Sequence, residues 1–116
     1  MNTRRMHALS ALAAGLALAA LASTAIAADD ATQRALGKKL FMEIAVPACA
    51  LCHALKDAGA ASAVGPVLDE IKPDAARVAK ALRDGLGQMP SYKGRLTEEQ
   101  IAALASYVSK ASSGAP

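Results

Sequence analysis

Cys49-Ala50-Leu51-Cys52-His53 gathers the chain's only two cysteines and one of its two histidines into five residues. Two thiols three positions apart on a turn of helix can each add across a vinyl group of a haem, forming thioethers. The next residue then carries an imidazole under the porphyrin, where a ring nitrogen can bind iron. Four other readings compete. A thioredoxin-like redox pair needs a βαβ context, and no strand pattern surrounds the motif. Zinc needs four ligands, yet the other histidine is His7, in the N-terminal head, and no further cysteine exists. A disulfide between residues three apart closes a tiny loop and stabilises little. Chance is the fourth, and the export signal at the N-terminus weighs against it, because this kind of haem attachment is made outside the cytoplasm.

An iron held by His53 needs a second axial ligand or an open site. Histidine is excluded by count, leaving lysine or methionine, and a thioether is a soft ligand suited to low-spin iron of raised potential. Met42 precedes the cysteines within a helical stretch and reads as a gap-filling core residue. Met89 lies in Gly85-Leu86-Gly87-Gln88-Met89-Pro90, where glycines loosen the loop and a proline braces it. Such a loop can cross the far face of a haem and hold a sulfur there, so Met89 is the candidate sixth ligand, the alternative being a methionine packed in an ordinary loop. Gly65-Pro66 follows His53 by about a dozen residues. It reads either as a plain turn or as the source of a carbonyl that accepts from the second His53 nitrogen.

The elements that must position these groups are helical. Alanine is abundant while valine, isoleucine and threonine are sparse, which predicts an all-α fold and argues against a sheet. From Thr32 to Ile44, Leu36, Leu40 and Ile44 recur every four residues, with Phe41 beside the stripe. Gly37 in that helix costs about 1 kcal/mol against alanine, a cost that a close helix crossing would explain. Pro47 to Pro73 reads as loop with short helical turns, and Asp74 to Asp84 as a helix with Asp74 as N-cap and Gly85 at its end. Thr97-Glu98-Glu99-Gln100 is a capping box that opens a last helix, whose buried face carries Ile101, Leu104, Tyr107, Val108 and Ala111. Ser112 to Pro116 reads as a frayed tail.

With 116 residues there is room for one domain at most. Arg4 and Arg5 are followed by a run without charge from Ala8 to Ala28, and Ala25-Ile26-Ala27 has the small-x-small pattern of a cleavage site. This predicts a secretory signal peptide over 1–27, a haem domain over 28–116 and a periplasmic location, with a membrane anchor only if the signal stays uncleaved. His7 stands where twin-arginine export expects an apolar residue, so Arg4 and Arg5 read as the ordinary positive flank. Lysine and arginine number 13 against 10 acids, and without Arg4 and Arg5 they number 11, so bulk charge supports no nucleic-acid partner. Three aromatics and no tryptophan make a thin core, which a cofactor would complete; the apoprotein should fold poorly without it.

Gly37-Lys38-Lys39-Leu40-Phe41, then Cys49-x-x-Cys52-His53, Gly65-Pro66, Met89-Pro90 and Leu104-x-x-Tyr107-Val108 together resemble the small class I cytochromes c of bacteria, over nearly all of the mature chain. The resemblance implies N- and C-terminal helices crossing at Gly37 and Tyr107, with one haem c enclosed by loops and short helices. It also implies thioethers to Cys49 and Cys52, His53 and Met89 as axial ligands, and the Pro66 carbonyl as the partner of His53. The segment from Val64 to Asp74, with Gly87-Gln-Met-Pro90, is also similar to cytochromes that accept electrons from molybdenum sulfite dehydrogenases. The function so implied is electron transfer, without catalysis, between a dehydrogenase-type donor and an acceptor such as a terminal oxidase. Alternatives are a dedicated haem subunit of a periplasmic dehydrogenase, and an open-site haem enzyme or gas sensor. Lys56, Lys93 and Arg95, close in sequence to His53 and Met89, are candidate docking cations.

Overall fold

The computed structural model describes residues 29–115. The expected signal peptide and its cleavage site lie outside the described residues. The chain divides into a unit ending at Thr32 and a unit Gln33–Pro116, and the second carries the cysteines, His53 and Met89. Among the described residues no helix is long and apolar enough to cross a membrane.

Residues 29–39 are helical (α1) and run on into a π-helical turn, Leu40–Ile44, closed by Ala45 N–H donating to the Leu40 carbonyl at 3.1 Å. The wider turn takes in one extra residue and so rotates the positions after it. Leu40, Phe41 and Ala45 are therefore buried, while Ile44, expected on the apolar stripe, is exposed. The last helix, α4, spans Glu98–Ser113, and both halves of the capping box between Thr97 and Gln100 are present. Its five expected core residues are buried. It also outlasts the expected fraying point: Ser112 is buried, and Gly114, at φ 73°, caps the helix in the left-handed region, where glycine is favoured.

These two helices cross at Gly37. A Cβ there would sit 2.3 Å from Tyr107 Cβ and 2.6 Å from the Ala103 carbonyl oxygen, so only glycine lets the backbones approach. One turn further on, Phe41 meets Tyr107 edge to face, with ring centroids 6.2 Å apart. The crossing is also fastened by charge. Asp57 accepts from the Tyr107 hydroxyl at 2.7 Å and from Arg34 at 2.8 Å, with Lys38 Nζ at 3.7 Å.

Between the helices, the segment expected to be loop and short turns also contains a small antiparallel hairpin. Strand β1, His53–Leu55, pairs with β2, Ala60–Ala63, placing His53 opposite Ala63 and Leu55 opposite Ala60. Ala60-Ala61-Ser62-Ala63 holds no β-branched or aromatic residue, in keeping with a composition that argued against a sheet. Tertiary anchors hold it instead: Leu55 is fully buried, and the Ser62 hydroxyl donates to the Leu51 carbonyl at 2.8 Å. A short helix α2, Leu68–Ile71, comes next, and then α3, Ala75–Asp84, whose N-cap Asp74 accepts from Arg77 N–H at 2.7 Å. Helix α3 packs on α4, and the fold is mostly helical, as the all-α reading of the composition expects, with the small hairpin added to it.

Candidate functional site

The cysteines stand on a 3-10 turn, Cys49–Leu51, closed by Cys52 N–H donating to the Cys49 carbonyl at 3.1 Å. With three residues per turn, positions i and i+3 eclipse. Cys49 and Cys52 thus line one cavity together, while Leu51 between them is exposed. Burial pushes the Cys49 thiol up to about 11, outweighing a hydrogen bond within its own residue that lowers it, and the neighbouring Cys52 adds to the rise. A thiol held neutral in this way is the opposite of the acidic nucleophile that a dithiol redox site uses. Among the described residues no three His, Cys, Asp or Glu side chains cluster to hold a metal, so zinc has no ligand set here.

His53 opens β1, and its Nδ1 lies 2.8 Å from the Pro66 carbonyl oxygen. A carbonyl can only accept, so Nδ1 is the donor here, and in the neutral ring Nε2 is the nitrogen left with a lone pair. The histidine is therefore oriented and set in the tautomer that binds a metal through Nε2.

Met89 stands at the end of a tight two-way bridge: Leu86 N–H donates to the Met89 carbonyl and Met89 N–H to the Leu86 carbonyl, both at 3.0 Å. Gly85 permits the return of the chain, because its φ is 75° and a Cβ there would meet the Met89 carbonyl oxygen at 2.9 Å.

Two cavities, of about 150 and 240 Å³, share five wall residues: Cys49, His53, Pro66, Leu86 and Met89. Phe41, Leu68, Leu82, Leu104 and Val108 contribute to the apolar lining of the first. Pro47, Gln88, Pro90 and Tyr92 contribute to the second. Met42 packs against the core and borders neither. A flat, largely apolar group with a central metal fits this donor set: two thiols for its edge, an imidazole with a free lone pair, a thioether, and apolar walls.

Sequence reasoning did not single out Tyr92 or Arg77. Tyr92 is buried, with its hydroxyl donating to the Pro47 carbonyl at 2.6 Å. Its phenol is pushed up to about 12, chiefly by burial, so it remains a neutral donor. Among the described residues Arg77 is the one arginine or lysine on either cavity wall. Its spacing of four from Ala81, which lines the same cavity, puts both on one side of α3.

Comparison with known proteins gives matches of two kinds. The family model described as cytochrome C oxidase, cbb3-type, subunit III matches residues 32–108. Among solved structures, the c-type cytochrome SorU from Sinorhizobium meliloti is 51% identical, with a TM-score of 0.68, over 70% of this chain and 92% of that one. Comparison with curated proteins finds no significant match.

Proposed function

The chain belongs to the cytochrome c family, and from that premise we propose that it is an exported, single-haem electron carrier of the periplasm. Cys49 and Cys52 would hold the porphyrin through thioethers, and His53 and Met89 would ligate its iron. The observation that carries this reading is the set of five residues common to both cavity walls, which contains Cys49, His53, Pro66 and Met89 and leaves out Met42. Bound haem supplies an iron that gains or loses one electron between ferric and ferrous. The chain's own part is to hold, orient and desolvate. Pro66 takes the Nδ1 proton of His53 in a hydrogen bond, the Leu86–Met89 bridge holds the thioether in place, and the apolar walls exclude water and so favour the less charged state of the site.

The donor that fits the resemblance of the Val64 to Asp74 segment is a molybdenum sulfite dehydrogenase, and the acceptor a terminal oxidase. A second reading, a fixed haem subunit of a larger complex, is favoured by the matched family's description as an oxidase subunit. Gel filtration at high salt separates the two, since a carrier elutes alone and a fixed subunit with its partner. Haem staining of a denaturing gel tests the attachment: thioethers survive boiling, and colour extracted by acid-acetone would overturn covalent attachment through Cys49 and Cys52. The mature protein should begin near Ala28 and weigh its peptide mass plus one haem.

A further inference from the structure

Gly65 presses on the imidazole of His53. A Cβ placed on Gly65 would lie 2.8 Å from His53 Cε1, 3.1 Å from Nδ1 and 3.3 Å from Nε2, distances that set it over the face of the ring at Cε1, between the two nitrogens. Unlike Gly85 or Gly114, Gly65 does not have the left-handed backbone that favours glycine, so its conformation admits a side chain and only the ring forbids one. Nor can Gly65 draw back, because its N–H donates to the Cys52 carbonyl at 2.7 Å and the next residue's carbonyl holds His53 Nδ1 at 2.8 Å. The β1–β2 pairing of His53 with Ala63 fixes this approach from the other side.

We propose that Gly65 is a positioning residue for the axial imidazole: its bare α-carbon and the Pro66 carbonyl together fix the plane in which His53 presents Nε2. The proposal rests on His53 being the axial ligand. The hydrogen bond alone leaves the ring free to swing about the Nδ1–oxygen line, and contact with the ring face removes that freedom. Ring orientation matters because the imidazole π system overlaps unequally with the iron d orbitals lying along the two porphyrin axes. A turned ring therefore changes the electronic asymmetry of the ferric site even when both ligands stay bound.

The test uses the holoprotein. In proton NMR of the reduced wild-type protein, a strong Overhauser effect is expected between Gly65 Hα and His53 Hε1, and its absence overturns the proposal. The same spectrum reports separately on the ligand: His53 Hε1 moved far upfield by the porphyrin ring current supports axial ligation, whereas an ordinary position overturns that reading. Gly65→Ala should keep its covalent haem yet change the ferric g-value anisotropy and the spread of haem-methyl shifts. Gly94→Ala is the control, since its Cβ meets nothing within 4 Å while its φ of 77° makes it a strained substitution. It should lower stability and leave both signatures as in wild type. Gly65→Ala with wild-type g values and methyl shifts would overturn the proposal. Should Gly65→Ala fail to assemble, the wild-type Overhauser effect decides.

Discussion

A thioether is a neutral, weakly basic donor, so it holds iron only where the chain presents it without competition from water. Met89 is partly buried, borders both cavities and is fixed at its backbone by the bridge to Leu86, whereas Met42 packs against the core away from them. Met89→Ala should therefore open the sixth position, move the iron toward high spin, lower the potential and admit carbon monoxide to the reduced protein. Met42→Leu conserves volume and should do none of these, at a stability change under about 1.5 kcal/mol. Absorption spectra with and without carbon monoxide check both variants, and exchanged behaviours would reverse the assignment. Carbon monoxide binding by the wild-type protein would instead favour the open-site reading. At the other anchor, Cys49→Ala leaves one thioether at most and should cut the yield of holoprotein sharply.

Among elements, the Gly37 crossing and the Asp57 cluster do the fastening. Tyr107 donates its hydrogen bond to Asp57 and so holds the carboxyl below its ordinary value, the Arg34 and Lys38 charges adding to this and partial burial opposing it. A carboxylate lowered in the folded state stabilises fully above its unfolded value near 3.9, and that stabilisation is lost as pH falls through the lower native value. Asp57→Asn should thus cost about 1–2 kcal/mol at neutral pH, roughly 4–15 °C in melting temperature for a domain of this size. Scanning calorimetry of the holoprotein should find that gap shrinking below about pH 4. A gap that stayed constant down to pH 2 would remove Asp57 ionisation from the account. Gly37→Ala should also destabilise, because a Cβ 2.3 Å from Tyr107 Cβ forces the helices apart at about 1–3 kcal/mol, more than the roughly 1 kcal/mol gained in helix propensity.

The elements best legible in the sequence were those governed locally. The Thr97 capping box, the Asp74 cap and the α4 stripe each depend on residues within a turn of one another, and each is present. The hairpin and the π-helical turn were not legible, because neither arises from propensity. Ala60–Ala63 becomes a strand through Leu55 and Ser62, and Ile44 is turned outward by one extra residue in a turn whose hydrogen bond closes at Ala45. At the site, donor types and spacing were enough to select Cys49, Cys52, His53 and Met89. Tyr92 was not singled out and Gly65 was read only as part of the Gly65-Pro66 turn, because their roles exist only as contacts across the chain: a hydroxyl on the Pro47 carbonyl, and an α-carbon on the His53 ring.

For the molecule as a whole, electron transfer needs brief docking close to the site, and the choice is between charge and apolar contact. Basic and acidic residues nearly balance outside the head, and two haem propionates would make the holoprotein slightly negative, so long-range steering is weak. The candidate cations are partly committed. Arg95 donates to the Val46 carbonyl at 3.1 Å, and Lys93 lies within the field of Asp84 and Glu98, helping to lower both carboxyls. Exposed apolar side chains, by contrast, gather at the cavity mouth. Val64 is 81% and Leu86 70% exposed although both line the second cavity, and Leu51 is 64% exposed on the turn between the cysteines. An apolar rim of this kind seals against a partner by expelling water, and salt barely affects that term. Leu51→Ser and Val64→Ser leave every proposed ligand in place, so the reduction potential should not move. Each removes a contact contributing about 1.4 kcal/mol on partial burial, so the second-order rate of reduction by the donor should fall about tenfold. Stopped-flow reduction across a series of salt concentrations should show a shallow dependence in the wild-type protein and the same slope in both variants. A steep fall with salt, with both serine variants reacting at the wild-type rate, would return the docking surface to Lys56, Lys93 and Arg95.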